Sequence, residues 1–197
     1  MDCILLPHDY INFYLTGNKS MEAGDSSGTG FMDVRARQWS EKMLRVIDPK
    51  VDLRDRLPDI KTSATPIGTL LPNIAHKLGL PPGTPVAPGG GDNMMSAIGT
   101  GNIRSGVITM SLGTSGTIYS YADKPVVDED GSIAAFCSSS GGWLPLICTM
   151  NCTVGTELMR NLFDTDIVAF EATLQASTRG AEGILTCLLY TSPSPRD

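Results

Sequence analysis

Residues 88–116 read PGGGDNMMSAIGTGNIRSGVITMSLGTSG, and two glycine-rich turns within them decide how the chain is organised. In the first, PGGGDN (88–93), three consecutive Gly let the backbone bend sharply and approach a ligand closely. Met94, Met95 and Ile98 then predict a helix ending near Gly99 or Gly101. The second turn, Gly113-Thr114-Ser115-Gly116, separates two β-rich runs, VITMSL and TIYSY, and predicts a hairpin. A helix that ends in Gly and gives way to a new hairpin is how a second lobe starts, so the candidate boundary lies at GNIRS (101–105).

Each turn has two readings. Asp92 at a helix start suits an N-cap. The helix dipole also favours a carboxylate there, and one so placed could accept a proton from a substrate hydroxyl. Asn93 could then fix a sugar hydroxyl beside it. Gly113 to Gly116 can be a plain hairpin connection, or a concave anion site of backbone amides and Thr/Ser hydroxyls. No Lys is needed in such a site if Mg²⁺ neutralises the phosphate. The order, an acidic Gly-turn closing one lobe and a Thr/Ser-Gly turn opening the next, would set a base and a phosphate cradle on opposite walls of one cleft.

Working outward, residues 4–15 (ILLPHDYINFYL) carry helical apolar spacing and stop at Gly17. Ser40 is an N-cap for a helix with Met43, Leu44 and Ile47 on its apolar face. Pro72 opens a short helix, with Ile74, Ala75 and Leu78 on one side, that Gly79 closes. Thr84–Ala87 predicts a short strand, and IAAF and WLPLICTM within 133–150 predict further strands. Val154, Leu158 and Leu162 predict a helix over 153–163, and another is expected over 166–176. Gly24-Asp25-Ser26-Ser27-Gly28 fits G-x-S-x-G, but KSMEA before it does not read as the strand a nucleophile elbow needs. His8 and His76 read as locally satisfied or exposed, and Trp39 and Trp143 as packing residues.

The 197 residues are 41% apolar and 18% charged, which excludes disordered, collagenous and coiled-coil classes. A net charge of −6 argues against a general nucleic-acid or anionic-membrane surface. No apolar run approaches the length of a membrane span, and MDCILLPHDY lacks the basic start of a signal peptide. Five Cys without C-x-x-C argue against a disulfide framework or zinc site, leaving buried, reduced thiols in a cytoplasmic protein as the expectation.

LLPHDYINFYLTG (5–17), EAGDSSGTGFMDVRARQWS (22–40), LGLPPGTPVAPGGGDNMMSAIGTG (78–101), VITMSLGTSGTIYSYADKPVVD (107–128) and FCSSSGGWLPLICTMN (136–151) together resemble the FGGY family of carbohydrate kinases. GGGDN followed by SLGTSG is the most specific part of the match, which covers about residues 2–187. The resemblance implies an α/β, actin-like ATPase or ribonuclease H-like fold of two lobes, here incomplete: residues 1–102 ending a sugar-binding lobe and 103–187 starting a nucleotide lobe. It implies Asp92 as catalytic base, with Asn93 and the Gly89–Gly91 backbone at the sugar. Gly113, Thr114 and Ser115 then form the phosphate loop. The implied reaction moves the ATP γ-phosphoryl group, with Mg²⁺, to the 5-hydroxyl of D-xylulose. A sister kinase for another pentulose or polyol, and a non-catalytic actin-like binding module, are the alternatives. A homodimer is possible in the complete protein. The early phosphate loop and the adenine site are missing, so the chain alone is expected to lack activity. LLYTSPSPRD (188–197) matches nothing in the family and reads as a junction or read-through.

Overall fold

Proline fixes the first boundary. Pro7 has no N–H to leave unsatisfied and a φ already suited to the first turn, so helix α1 runs Pro7–Thr16 and not from residue 4. It ends at Gly17, in the left-handed region at φ 78°, whose amide returns to the Phe13 carbonyl. The structure is a computed structural model and describes residues 3–184; the 188–197 tail and Cys187 lie outside the described residues. Strand β1 (Met21–Glu22) leads directly into α2 (Ala23–Ser26). A short hairpin of β2 (Met32–Asp33) and β3 (Gln38–Trp39) precedes α3 (Glu41–Ile47), whose N-cap Ser40 accepts from the Met43 amide. There follow β4 (Ile60–Lys61), β5 (Gly68–Thr69), α4 (Pro72–Leu78), β6 (Pro85–Val86) and α5 (Asp92–Gly99). Beyond them lie β7 (Ile108–Leu112), β8 (Gly116–Ser120), β9 (Leu146–Thr149), α6 (Thr153–Leu162) and α7 (Ile167–Ala176).

Strand β1 pairs in parallel with β4, Met21 opposite Ile60, while β2–β3 and β5–β6 pair antiparallel. The three-stranded sheet has the order β7-β8-β9, with residues 113–115 linking its first two strands. The IAAF run adds no strand of its own; Ala134 makes a single bridge to Leu146. The described chain forms two compact units. The first holds residues up to Thr109 together with Tyr119–Ile147; the second holds Met110–Ile118 and the residues from Cys148 onward.

Burial is concentrated in the first unit. One cluster gathers Met21, Ala23, Met32, Trp39, Leu44, Leu57 and Cys137. Another packs α5 through Met94 and Ala97 against Tyr119, Leu144 and Leu146. A third holds Leu70, Ile74, Ala75 and Val86 around α4. Helix α5 therefore buries a stripe of Met94 and Ala97, while Met95 and Ile98, whose apolar character helped predict the helix, are exposed. Leu78 of α4 is exposed for the same reason: a seven-residue helix presents only about two turns to its neighbour. Trp39 and Trp143 do pack, and each indole N–H is satisfied, by the Pro58 and Val34 carbonyls at 2.7 and 2.9 Å. In the second unit Val154, Leu158 and Leu162 form the predicted helix, but their apolar stripe is exposed. The thiols also divide: Cys137 is buried, and burial pushes it up to about 11, while Cys148 is exposed because β9 is covered only at Leu146.

Candidate functional site

Gly91 has extended backbone and serves as the N-cap of α5, so Asp92 is the first helical residue and not the cap. Its carboxylate is exposed, and one oxygen accepts from the Asn93 amide at 2.8 Å. The loop before it leaves little room for side chains. Gly89 sits in the left-handed region at φ 73°. A Cβ on Gly90 would lie 2.5 Å from Ser139 Oγ and 2.7 Å from Met95 Cε. One on Gly91 would lie 3.1 Å from Asp25 Oδ1.

What crowds this loop is a polar floor. Glu22, only 1% exposed, accepts from the Asp25 amide (3.0 Å), Ser63 Oγ (2.5 Å) and Ser139 Oγ (3.1 Å). Three donors on one carboxylate meet the cost of burying its charge. His8 lies against Asp25, with Nδ1 2.7 Å from Asp25 Oδ2 and Nε2 3.1 Å from Asp9 Oδ1. The Asp25 carboxylate at hydrogen-bond distance, then the Asp9 carboxylate in ion-pair contact, outweigh burial and raise His8 to about 10. A cavity of about 270 Å³ opens next to the floor, lined in part by Glu22, Arg37, Ser63, Gly89, Met95 and Ser139.

The second turn is held from behind. The Gly113 carbonyl accepts from the Thr153 amide (3.0 Å) and Thr153 Oγ1 (2.8 Å), and the Thr114 carbonyl accepts from the Cys152 amide (3.1 Å). The Gly113 amide donates to the Ser115 carbonyl at 3.0 Å. Among the described residues no partner engages the amides or hydroxyls of Thr114 and Ser115, and both residues are exposed. The Gly113 and Thr114 carbonyls are taken up by residues 152–153 and the Ser115 carbonyl by the Gly113 amide, leaving the Thr114 and Ser115 amides and hydroxyls as donors of the kind an oxyanion site uses. Gly91, Asp92 and Asn93 thus stand together in the first unit, and Gly113, Thr114 and Ser115 stand together in the second.

Sequence reasoning missed the floor. Glu22, Ser63 and Ser139 lie 41 and 117 residues apart in chain terms, a separation no local pattern encodes. His8 is satisfied at Nδ1 by Asp25, but its buried Nε2 has no hydrogen-bond partner and only an ion-pair contact with Asp9. The G-x-S-x-G match does follow a strand, the two-residue β1, yet Ser26 is fully buried and cannot act as an exposed nucleophile.

Residues 1–99 match the FGGY family of carbohydrate kinases, N-terminal domain. A xylulose kinase of Haemophilus influenzae is 46% identical over 181 residues, covering 92% of this chain and 37% of that protein. Among solved structures, a xylulose kinase from Bifidobacterium adolescentis superposes with a TM-score of 0.79 at 26% identity, over 93% of this chain and 40% of the other. A xyloylose kinase from Brucella ovis gives 0.77 at 27% identity, over 84% and 34%. The chain belongs to the FGGY family of carbohydrate kinases. Its fold is the mixed α/β, actin-like ATPase fold of those proteins, of which it spans little more than a third of their length.

Proposed function

We propose that this chain is part of an ATP-dependent sugar kinase that transfers the γ-phosphoryl group to the 5-hydroxyl of D-xylulose. The observation that carries the reading is Asp92, an exposed carboxylate opening α5 directly after a glycine loop that is left-handed at residue 89 and tightly walled at residue 90. Relatives bearing the name xylulose kinase support the substrate class. Phosphoryl transfer has a loose transition state, so the protein contributes mainly positioning and charge stabilisation. Asp92 orients the sugar hydroxyl and takes its proton as the new O–P bond forms. Asn93 and the Gly91 backbone hold neighbouring hydroxyls, and glycine at 91 leaves the backbone open to the substrate.

Thr114 and Ser115 hold the phosphates through amides and hydroxyls, and Gly113, its amide closing the turn on the Ser115 carbonyl, shapes the loop that presents them. The turn contains no Lys or Arg, so its donors fit a phosphate whose charge is already offset. Mg²⁺ carried by ATP would supply that neutralisation. We place the end of the sugar-binding lobe at residue 102 and the start of the nucleotide lobe at 103, a reading supported by the family match ending at residue 99. Among the described residues no helix is long and apolar enough to cross a membrane, and the proposed setting is the cytoplasm.

The test grafts residues 3–184 into the Haemophilus influenzae relative in place of its matching segment and assays a panel of pentuloses and polyols. D-xylulose is expected to be the preferred substrate. Asp92→Asn is expected to lower kcat by roughly 10²- to 10⁴-fold with the KM for ATP unchanged. Near-unchanged turnover in that variant would overturn the base assignment, and preference for another sugar would replace the substrate.

A further inference from the structure

The His8–Asp9–Asp25 cluster lies outside the roles given above, yet it touches the loop that carries Asp92. Two groups of α1 reach that loop's neighbourhood. Asn12, itself buried, donates from Nδ2 to the Pro88 carbonyl at 2.6 Å, immediately before the glycines. His8 packs its ring edge under Gly89, whose Cβ position lies 3.5 Å from His8 Cδ2. Asp25, the other partner of His8, stands 3.1 Å from the Cβ position of Gly91. The cluster therefore joins α1, α2 and the glycine loop.

Its charge state follows from geometry. A neutral imidazole carries one N–H and can donate to one carboxylate only. Here Nδ1 stands 2.7 Å from Asp25 Oδ2, while Nε2, buried without a hydrogen-bond partner, lies in ion-pair contact with Asp9 Oδ1 at 3.1 Å, where the bare lone pair of a neutral ring would face a carboxylate. Asp9 is 1% exposed, and neither of its oxygens has a hydrogen-bond partner of good geometry among the described residues. An opposite charge in contact is what stabilises such a buried carboxylate. His8 is the cation in ion-pair contact with it.

A metal ion is the rival occupant, since one ligand atom from each of the three residues falls within 4.8 Å of the others. Two ligands on one ion with bonds of about 2.0 Å stand about 3.3 Å apart in tetrahedral geometry. The 2.7 Å contact between Nδ1 and Asp25 is shorter than that and is a hydrogen-bond distance. A proton fits between these atoms and an ion does not.

We infer that His8 is a positioning residue: an imidazolium bridging Asp9 and Asp25, it sets the floor on which the Gly89–Gly91 loop, and through it Asp92, is held. Its importance for turnover rests on the reading of Asp92 as base; its importance for the loop does not. The groups that face it are Asp9 from α1 and Asp25 from α2, and the neighbouring Glu22 is already filled by three donors.

The test uses the full chain, labelled with ¹⁵N, and His76→Gln to remove the other histidine resonance. Both His8 ring nitrogens are expected to be protonated from pH 6 to 8 and to ignore added Zn²⁺. A bare ring nitrogen at pH 7, or a shift on adding Zn²⁺, would overturn the inference. Hydrogen exchange of the amides at 89–92 is expected to speed at least tenfold in His8→Gln and to recover in His8→Lys, with the Ile74 and Ala75 amides of α4 unchanged. Equal exchange in all three proteins, or acceleration at both places alike, would refute positioning of the loop. In the grafted kinase, His8→Gln is expected to lower kcat roughly 10- to 100-fold, with Lys restoring most of it. If the unmodified graft has no activity, the base reading fails while nitrogen shifts and exchange still decide the role of His8. If the graft is active and His8→Gln matches it, the role in turnover fails while the base reading stands.

Discussion

Gly90→Ala puts one methyl group into the floor beneath Asp92, and its effect can be worked from three distances. The new Cβ would sit 2.5 Å from Ser139 Oγ, 2.7 Å from Met95 Cε and 3.3 Å from Glu22 Oε2. Met95 is partly exposed and ends in a flexible thioether, so it can turn away at little cost. Ser139 cannot move freely, because its hydroxyl donates to the buried Glu22 carboxylate at 3.1 Å. Displacing it removes a hydrogen bond to a charged group, about 1.5–3 kcal/mol. Ser139→Ala removes the same bond and is expected to cost a similar amount, about 1.5–3 kcal/mol. In the double variant the obstructing oxygen is absent and the bond can be lost only once. The two costs should therefore fall short of additivity, by about 1–3 kcal/mol. Urea unfolding followed by tryptophan fluorescence reads this directly, since both Trp39 and Trp143 lie in the first unit. Simple additivity, with unchanged m-values, would refute the contact between residue 90 and Ser139 and with it the account of why the loop must be glycine.

Further outcomes follow from other contacts. Asn102 is fully buried, donates to the Tyr119 carbonyl (3.0 Å) and Thr109 Oγ1 (3.1 Å), and accepts from the Tyr121 amide (2.9 Å). Asn102→Ala should cost about 3 kcal/mol in the same unfolding assay, one for each bond lost. His8 is raised from its ordinary 6.5 to about 10 by Asp25 and Asp9, so the stability it contributes is complete below pH 6.5 and disappears as pH rises through 10. The difference in unfolding free energy between the natural chain and His8→Gln should accordingly shrink between pH 6 and pH 10; a constant difference would contradict the ion pairs. Thr153→Val deletes the side-chain bond to the Gly113 carbonyl and, in the grafted kinase, should raise the KM for ATP several-fold with kcat little changed. Ile108, Met110 and Leu112 of β7 are 67, 58 and 63% exposed, so the chain by itself should bind a hydrophobic dye and self-associate, and Met110→Lys should reduce both signals.

Local chemistry was legible wherever a residue acts on its own backbone. Pro7 and Pro72 open helices, Gly17 and Gly79 close them, and Ser40 caps one, because each constraint spans only a few residues. The hairpin at 113–115 and the glycine loop leading into α5 were legible for the same reason. Burial was less so: Met95 and Leu78 share the apolar pattern of their buried neighbours, and only the partner surface selects which face is covered.

The residues around Asp92 divide along this line. By itself the amino-acid order determined a glycine loop followed by an acidic helix start, since three adjacent Gly permit few other local structures. Tertiary structure alone decided that Glu22 would be buried under that loop, that Ser139 would reach it from 117 residues away, and that His8 would meet Asp25. A buried carboxylate is stabilised where donors or an opposite charge converge on it, and that convergence is a property of the packed chain, not of any segment of it.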